Sequence, residues 1–148
     1  MKTNSALKNL LITHEGIRRF PYTDTKGFIT IGVGHNLSIH GLPSPIIDSL
    51  LESDLAEVER QLWKRDWFVE MLYYATEAQC DAIRDLAFNL GTAGLDKFVE
   101  TIKAIQQKDW EKAAREIRNS QWAQEVQPTR VDDIAHMIST GEYPGFKE

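Results

Sequence analysis

HEGIRRFPYTDTKGFITIGVGH, residues 14–35, is the stretch on which the reading of this chain turns. Its first residues close a helical pattern. From Ser5, a candidate N-cap, Leu7, Leu10 and Leu11 recur on one stripe over residues 5–15, and Gly16 stands where a helix ends. Glu15 therefore falls in the last helical turn. From Tyr22 to Val33 the signal changes to short strands around a turn, Asp24-Thr25-Lys26-Gly27. Period two puts Ile29, Ile31 and Val33 on one face and Phe28, Thr30 and Gly32 on the other. The aliphatic face is the one expected to be buried, which leaves Thr30 on the side that can border a cleft.

Glu15, Asp24 and Thr30 are spaced nine and then six residues apart. Singly, each has an ordinary structural use, as a solvated helix residue, a turn former and a β-branched strand residue. Local chemistry adds what spacing does not. A carboxyl at a helix C-terminus faces the negative end of the macrodipole, which favours the protonated acid. Asp24, on an exposed turn near backbone amides, is expected to stay ionised. Two carboxyls pushed toward different roles point to glycoside hydrolysis.

Farther along, Ser44-Pro45 reads as an N-cap followed by proline at the first helical position. Ile46, Ile47, Leu50, Leu51, Leu55, Val58 and Leu62 continue at helical spacing, which gives one helix of about 20 residues, roughly 30 Å. Thr76 with Gln79 has the pattern of a capping box opening a helix that runs to Leu90 and ends at Gly91. Residues 95–107, 109–119 and 129–140 give three more helices, the last closed by Gly141. This order predicts an α+β fold in a single domain. A small sheet lobe covers about 15–44, a linking helix about 45–64, and a mostly helical lobe about 65–148, with helix 5–15 packed against it.

With 148 residues, 42% hydrophobic and 26% charged, the chain has room for one core and the balance of a folded protein. Cys80 is the single cysteine, so no intrachain disulfide can form and folding in the cytosol is expected. The opening MKTNSALKNLLITHEG has no apolar run of signal-peptide length, and no stretch reaches the ~20 apolar residues of a membrane span. Stable membrane insertion is therefore not expected. Of the net charge of −5, none arises in residues 1–64, which hold seven basic and seven acidic side chains; residues 65–148 hold ten and fifteen. A nucleic-acid binder would need a basic footprint and is excluded. No His, Cys and carboxylate cluster has metal-ligand spacing, so neither a metal nor a cofactor is expected.

The run from His14 to His35 closely resembles the catalytic segment of the phage-type lysozymes of the T-even phage class. Glu15-Gly16, Arg18, Tyr22, Asp24, Gly27, Thr30-Ile31-Gly32 and Gly34-His35 fall where that family has them. A second stretch is similar to the family's C-terminal lobe. It runs from Phe88-Asn89-Leu90-Gly91 through Gln106-Gln107-Lys108, Trp110 and Ala113-Ala114 to Ser120, Trp122, Pro128 and Arg130. The resemblance implies an endolysin, a muramidase that cleaves the β-1,4 bond between N-acetylmuramic acid and N-acetylglucosamine with inversion. Glu15 would protonate the glycosidic oxygen, and Asp24 with Thr30 would hold and activate the attacking water. An inverting pair implies carboxyl groups roughly 6.5 to 9.5 Å apart.

The resemblance also implies supporting roles. Asn36, Phe88 and Thr101 match positions that touch the glycan. Arg130 matches an arginine that orients the catalytic glutamate, although a guanidinium there favours the ionised acid and opposes the helix-end effect. His35 and Asp54 match a structural ion pair between the sheet lobe and the long helix. Phe88 and Trp122 can each be read as core anchors instead. Three features depart from the family: Asn89 replaces a glutamine, the segment after His35 is shorter, and the chain is acidic where relatives are basic. A trimmed cleft rim and weaker steering to the wall follow, so moderate salt should help or barely hurt. The family further implies a monomer acting on peptidoglycan glycan strands, held in the host cytoplasm until a holin-type pore admits it to the periplasm or cell wall. Two alternatives stay open: a lytic transglycosylase of the same fold, and a noncatalytic cell-wall-binding module.

Overall fold

Asn4, rather than Ser5, caps the first helix: its side chain accepts the amide of Ala6 at 2.8 Å, and α1 runs Ser5–Glu15. Asn and Ser are near-equal caps, so the choice between neighbours is set by where the backbone turns extended. The computed structural model describes residues 4–145, and the chain divides into two units, Met1–Leu50 and Leu51–Glu148.

In the first unit α1 ends at Gly16 (φ 74°, ψ 170°), whose amide donates to the Ile12 carbonyl at 2.8 Å. An L-residue resists that conformation. Three antiparallel strands follow in the order β1 (Arg18–Thr23), β2 (Ile29–Gly32) and β3 (His35–Asn36). Thr30 sits on the central strand, opposite Tyr22 on one side and Asn36 on the other.

The expected burial of the aliphatic face is overturned here. Thr30 is 3% exposed, and among the described residues of this unit it alone is buried, whereas Ile29 and Val33 are exposed. Strands of two to six residues make too small a sheet to cover an apolar face. The covered position is instead the central one that has polar partners.

A short helix α2 (Leu37–His40), absent from the sequence reading, is capped by Asn36, whose Oδ1 accepts the Ile39 amide at 2.9 Å. Helix α3 (Ser44–Leu62) begins one residue earlier than expected. The Pro43 carbonyl accepts the amides of Ile46 and Ile47, so Pro43 occupies the cap and Ser44 is the first helical residue. Along α3, Ile46, Ile47, Leu50, Leu51 and Leu55 are exposed, while Leu62 is fully buried.

The second unit continues with α4 (Asp66–Met71), α5 (Glu77–Leu90), α6 (Thr92–Leu95), α7 (Val99–Gln106), α8 (Trp110–Arg118), α9 (Trp122–Glu125) and α10 (Pro128–Thr140). The helix expected at 95–107 starts only at Val99. The amides of Lys97 and Phe98 reach back three residues, to Gly94 and Leu95, in a tight turn that separates α6 from α7. The chain is thus α+β, with one small sheet followed by a helical C-terminal part.

Among the described residues every buried hydrophobic side chain lies in this second unit, with Leu62, Phe68, Ile83, Leu86, Ile117 and Ile138 fully covered. The capping box of α5 forms as expected: Thr76 Oγ1 accepts the Gln79 amide at 3.2 Å, and Gln79 Oε1 accepts the Thr76 amide at 2.9 Å. The same two side chains tie down the end of α10, with Gln79 Nε2 donating to the Ile138 carbonyl at 3.0 Å and Thr76 Oγ1 to the Gly141 carbonyl at 2.9 Å. Every polar atom of the buried Gln79 amide is thereby used, which avoids the cost of an unsatisfied group. Cys80, on the same helix, is 4% exposed, and burial pushes its thiol pKa up. No helix among the described residues is long and apolar enough to cross a membrane.

Candidate active site

Asp24 is held by the turn that it starts. Its carbonyl accepts the Gly27 amide at 3.0 Å, and Gly27 adopts φ 86°, which suits glycine. Asp24 Oδ1 accepts two backbone amides, Lys26 and Phe28, each at 2.9 Å. The amide of Phe28, followed by that of Lys26, the Thr30 hydroxyl and the charge of Lys26, outweighs desolvation and holds the Asp24 carboxyl below its ordinary pKa. The expectation of an ionised Asp24 is therefore supported by identifiable donors.

The second carboxylate oxygen faces Thr30. Thr30 Oγ1 lies 3.5 Å from Asp24 Oδ2 and 3.3 Å from the Phe28 carbonyl, so one hydroxyl proton is divided between two long contacts. A hydroxyl so weakly committed can turn to a water molecule beside Oδ2 at little cost.

Glu15 is the last residue of α1, where the macrodipole is negative. Its carboxyl packs against Gly34 in the turn just before β3: a methyl group on residue 34 would lie 3.3 Å from Oε2 and 3.4 Å from Cδ, and Gly34 has φ 71°. This contact gives the glycine a role that sequence reasoning had left as part of a matched pattern. Glu15, Asp24 and Thr30 all belong to the first unit.

Some of the other residues singled out by the sequence have partners within their own units. Asn36 spends its Oδ1 on capping α2. His35 Nε2 lies 2.6 Å from the Gly41 carbonyl, which places the ring proton on that nitrogen. Asp54 is exposed on α3. In the second unit Phe88 is 42% exposed, so it is no core anchor, and it lines a cavity of about 680 Å3 together with Arg130. Arg130 is paired with Asp85, Nη2 to Oδ1 at 2.6 Å. Asp85 was missed in the sequence; the available signal was its position three residues before Phe88, on the same helix face.

Trp122 is buried, and its indole N–H donates to Asn89 Oδ1 at 2.7 Å, so it is a core residue. Thr101 is 2% exposed and borders a separate cavity of about 540 Å3 that Trp122 also lines. Among the described residues no group of three His, Cys, Asp or Glu side chains is arranged to hold a metal ion.

Comparison with known proteins identifies the family. The family model described as phage lysozyme matches residues 12–131, a span that includes Glu15, Asp24, Thr30 and Arg130. Two relatives from Dictyostelium discoideum, probable T4-type lysozymes 1 and 2, are each 27% identical over 97% of this chain and 99% of their own length. The pre-baseplate central spike protein Gp5 of Enterobacteria phage T4 is also 27% identical over 97% of this chain, which spans only 29% of that longer protein. The chain belongs to the phage lysozyme family and is, by that membership, a lysozyme-type glycoside hydrolase.

Proposed function

We propose that the chain is an endolysin that hydrolyses the β-1,4 bond between N-acetylmuramic acid and N-acetylglucosamine in bacterial peptidoglycan, with inversion. Glu15 is the general acid at the glycosidic oxygen, and Asp24 with Thr30 positions and deprotonates the attacking water. The observation that carries this reading is the Asp24 carboxylate: Oδ1 is fixed by two amides while Oδ2 stands 3.5 Å from a hydroxyl. Such an aspartate is charged, immobile and free on one oxygen, as a water-directing base must be. The lysozyme names of two relatives support the same class of substrate.

In this reading Arg130 orients the acid, Asn36, Phe88 and Thr101 contact the glycan, and the enzyme works as a monomer. It waits in the host cytoplasm until a holin-type pore opens the route to the wall. The test is lysis of permeabilised cells by Glu15→Gln alongside the wild type, with the product anomer read by NMR. Loss of lysis with retained wall binding and an inverted product supports the assignment. Persistent lysis rejects Glu15, and 1,6-anhydro ends in place of free reducing ends establish transglycosylation instead.

A further inference from the structure

We propose that Ser38 is a positioning residue for the reaction, acting on Thr30 and Asp24 through a single peptide plane; this rests on the reading above, in which those two residues direct the water. Strand β3 ends at Asn36, opposite Thr30, so Ile29 has no strand residue facing it on that side of β2. Its amide donates instead to Ser38 Oγ on α2, at 2.9 Å. That hydrogen bond holds one edge of the peptide between Phe28 and Ile29. The other edge is the Phe28 carbonyl, which accepts the Asp24 amide at 2.9 Å and lies 3.3 Å from Thr30 Oγ1.

A trans peptide group is planar and points its C=O and N–H in opposite directions, so fixing the N–H also fixes the tilt of the carbonyl. The Phe28 carbonyl shares the Thr30 hydroxyl proton with Asp24 Oδ2, which is 3.5 Å from Thr30 Oγ1. Its tilt therefore decides how that proton is divided. Ser38 can serve as an anchor because α2 is itself fastened to β3 at both ends. Asn36 Oδ1 accepts the Ile39 amide at 2.9 Å, and the Gly41 carbonyl lies 2.6 Å from His35 Nε2. Ser38 and Ile29 are both exposed, so deleting the hydroxyl opens no cavity and passes the freed amide to water. The fold survives that loss, while the peptide plane loses its tether.

The test compares Ser38→Ala and Ser38→Thr with the wild type, alone and combined with Thr30→Val, by kcat and KM on soluble glycan. Ser38→Ala should lower kcat about three- to tenfold with KM nearly unchanged, and Ser38→Thr should restore most of the rate. With Thr30→Val already present, Ser38→Ala should cost less than about 1.5-fold, because the hydroxyl through which Ser38 acts is gone. An equal loss in both backgrounds, or no recovery with threonine, overturns the proposal in favour of a general structural effect. A rise in KM at constant kcat makes Ser38 a glycan contact instead, and wild-type kcat in Ser38→Ala removes it from the reaction. Asp24→Asn, assayed alongside, separates this proposal from the reading beneath it. If that variant is inert, any of these contrary results concerns Ser38 alone; if it still lyses permeabilised cells at the wild-type rate, the water-directing role of Asp24 fails, and that of Ser38 with it.

Discussion

The Glu15 carboxyl rests on the backbone of Gly34, where a side-chain methyl would come within 3.3 Å of Oε2. The acid is therefore placed from two directions, by the end of its own helix and by a turn residue, Gly34, at which an added Cβ would crowd it. Gly34→Ala should displace the carboxyl and strain a backbone held at φ 71°. Misplacing a reacting group by about 1 Å can cost as much as 100-fold. We expect kcat to fall roughly 10- to 100-fold with binding of wall fragments retained. Wild-type kcat in this variant would mean that the contact does not place the acid.

Asp24 and Thr30 make separable contributions. Asp24→Asn preserves an oxygen for the Lys26 and Phe28 amides but removes the base, and should lower kcat by about 100- to 10,000-fold with the fold intact. Thr30→Val deletes the hydroxyl beside Oδ2 at nearly constant volume and should cost about tenfold, whereas Thr30→Ser should restore most of the rate. Equal activity of the Val and Ser variants would show that the hydroxyl plays no part.

The lowered pKa of Asp24 fixes the sign of two pH effects. Donors that bind the charged form make the folded carboxylate harder to protonate than an ordinary aspartate at 3.8. Its contribution to stability is complete above that unfolded value and is lost as pH falls through the lower folded value. The base should likewise stay competent as pH drops through the usual aspartate range, with activity failing only below it on this account. A carboxyl-carbon NMR titration of Asp24 gives the midpoint directly, and a value at or above 3.8 contradicts the argument.

Gly141 closes α10 in the left-handed conformation, φ 74° and ψ 14°, and a methyl group there would lie 2.9 Å from Thr76 Cγ2. Gly141→Ala must bear about 1–2 kcal/mol of backbone strain and also push on the residue that caps α5. For a chain of this size that predicts a fall in Tm of at least about 2–8 °C, with catalysis at room temperature unchanged. An unaltered melting curve would show that the helix end relaxes freely.

What could be read from the amino acids was local. The bounds of α1 and α5 and the turn at Asp24 follow from residues within four positions of one another, where a cap, a glycine or an Asx turn is itself the cause. The four-residue helices α2, α6 and α9 are too short to leave a periodic signal. Period-two alternation puts Thr30 on the cleft-bordering face, yet its burial depends on flanking strands that alternation alone does not rank. The Asn89–Trp122 and Asp85–Arg130 contacts join residues 33 and 45 positions apart, so only the folded chain reveals them.

Cys80 gives the helical unit a native timer. With its sulfur sealed inside α5 and its thiolate disfavoured, a thiol-specific reagent can modify it only during moments when that helix leaves its seat. The labelling rate of the unaltered protein would then report how often this part of the molecule opens, with no engineered probe.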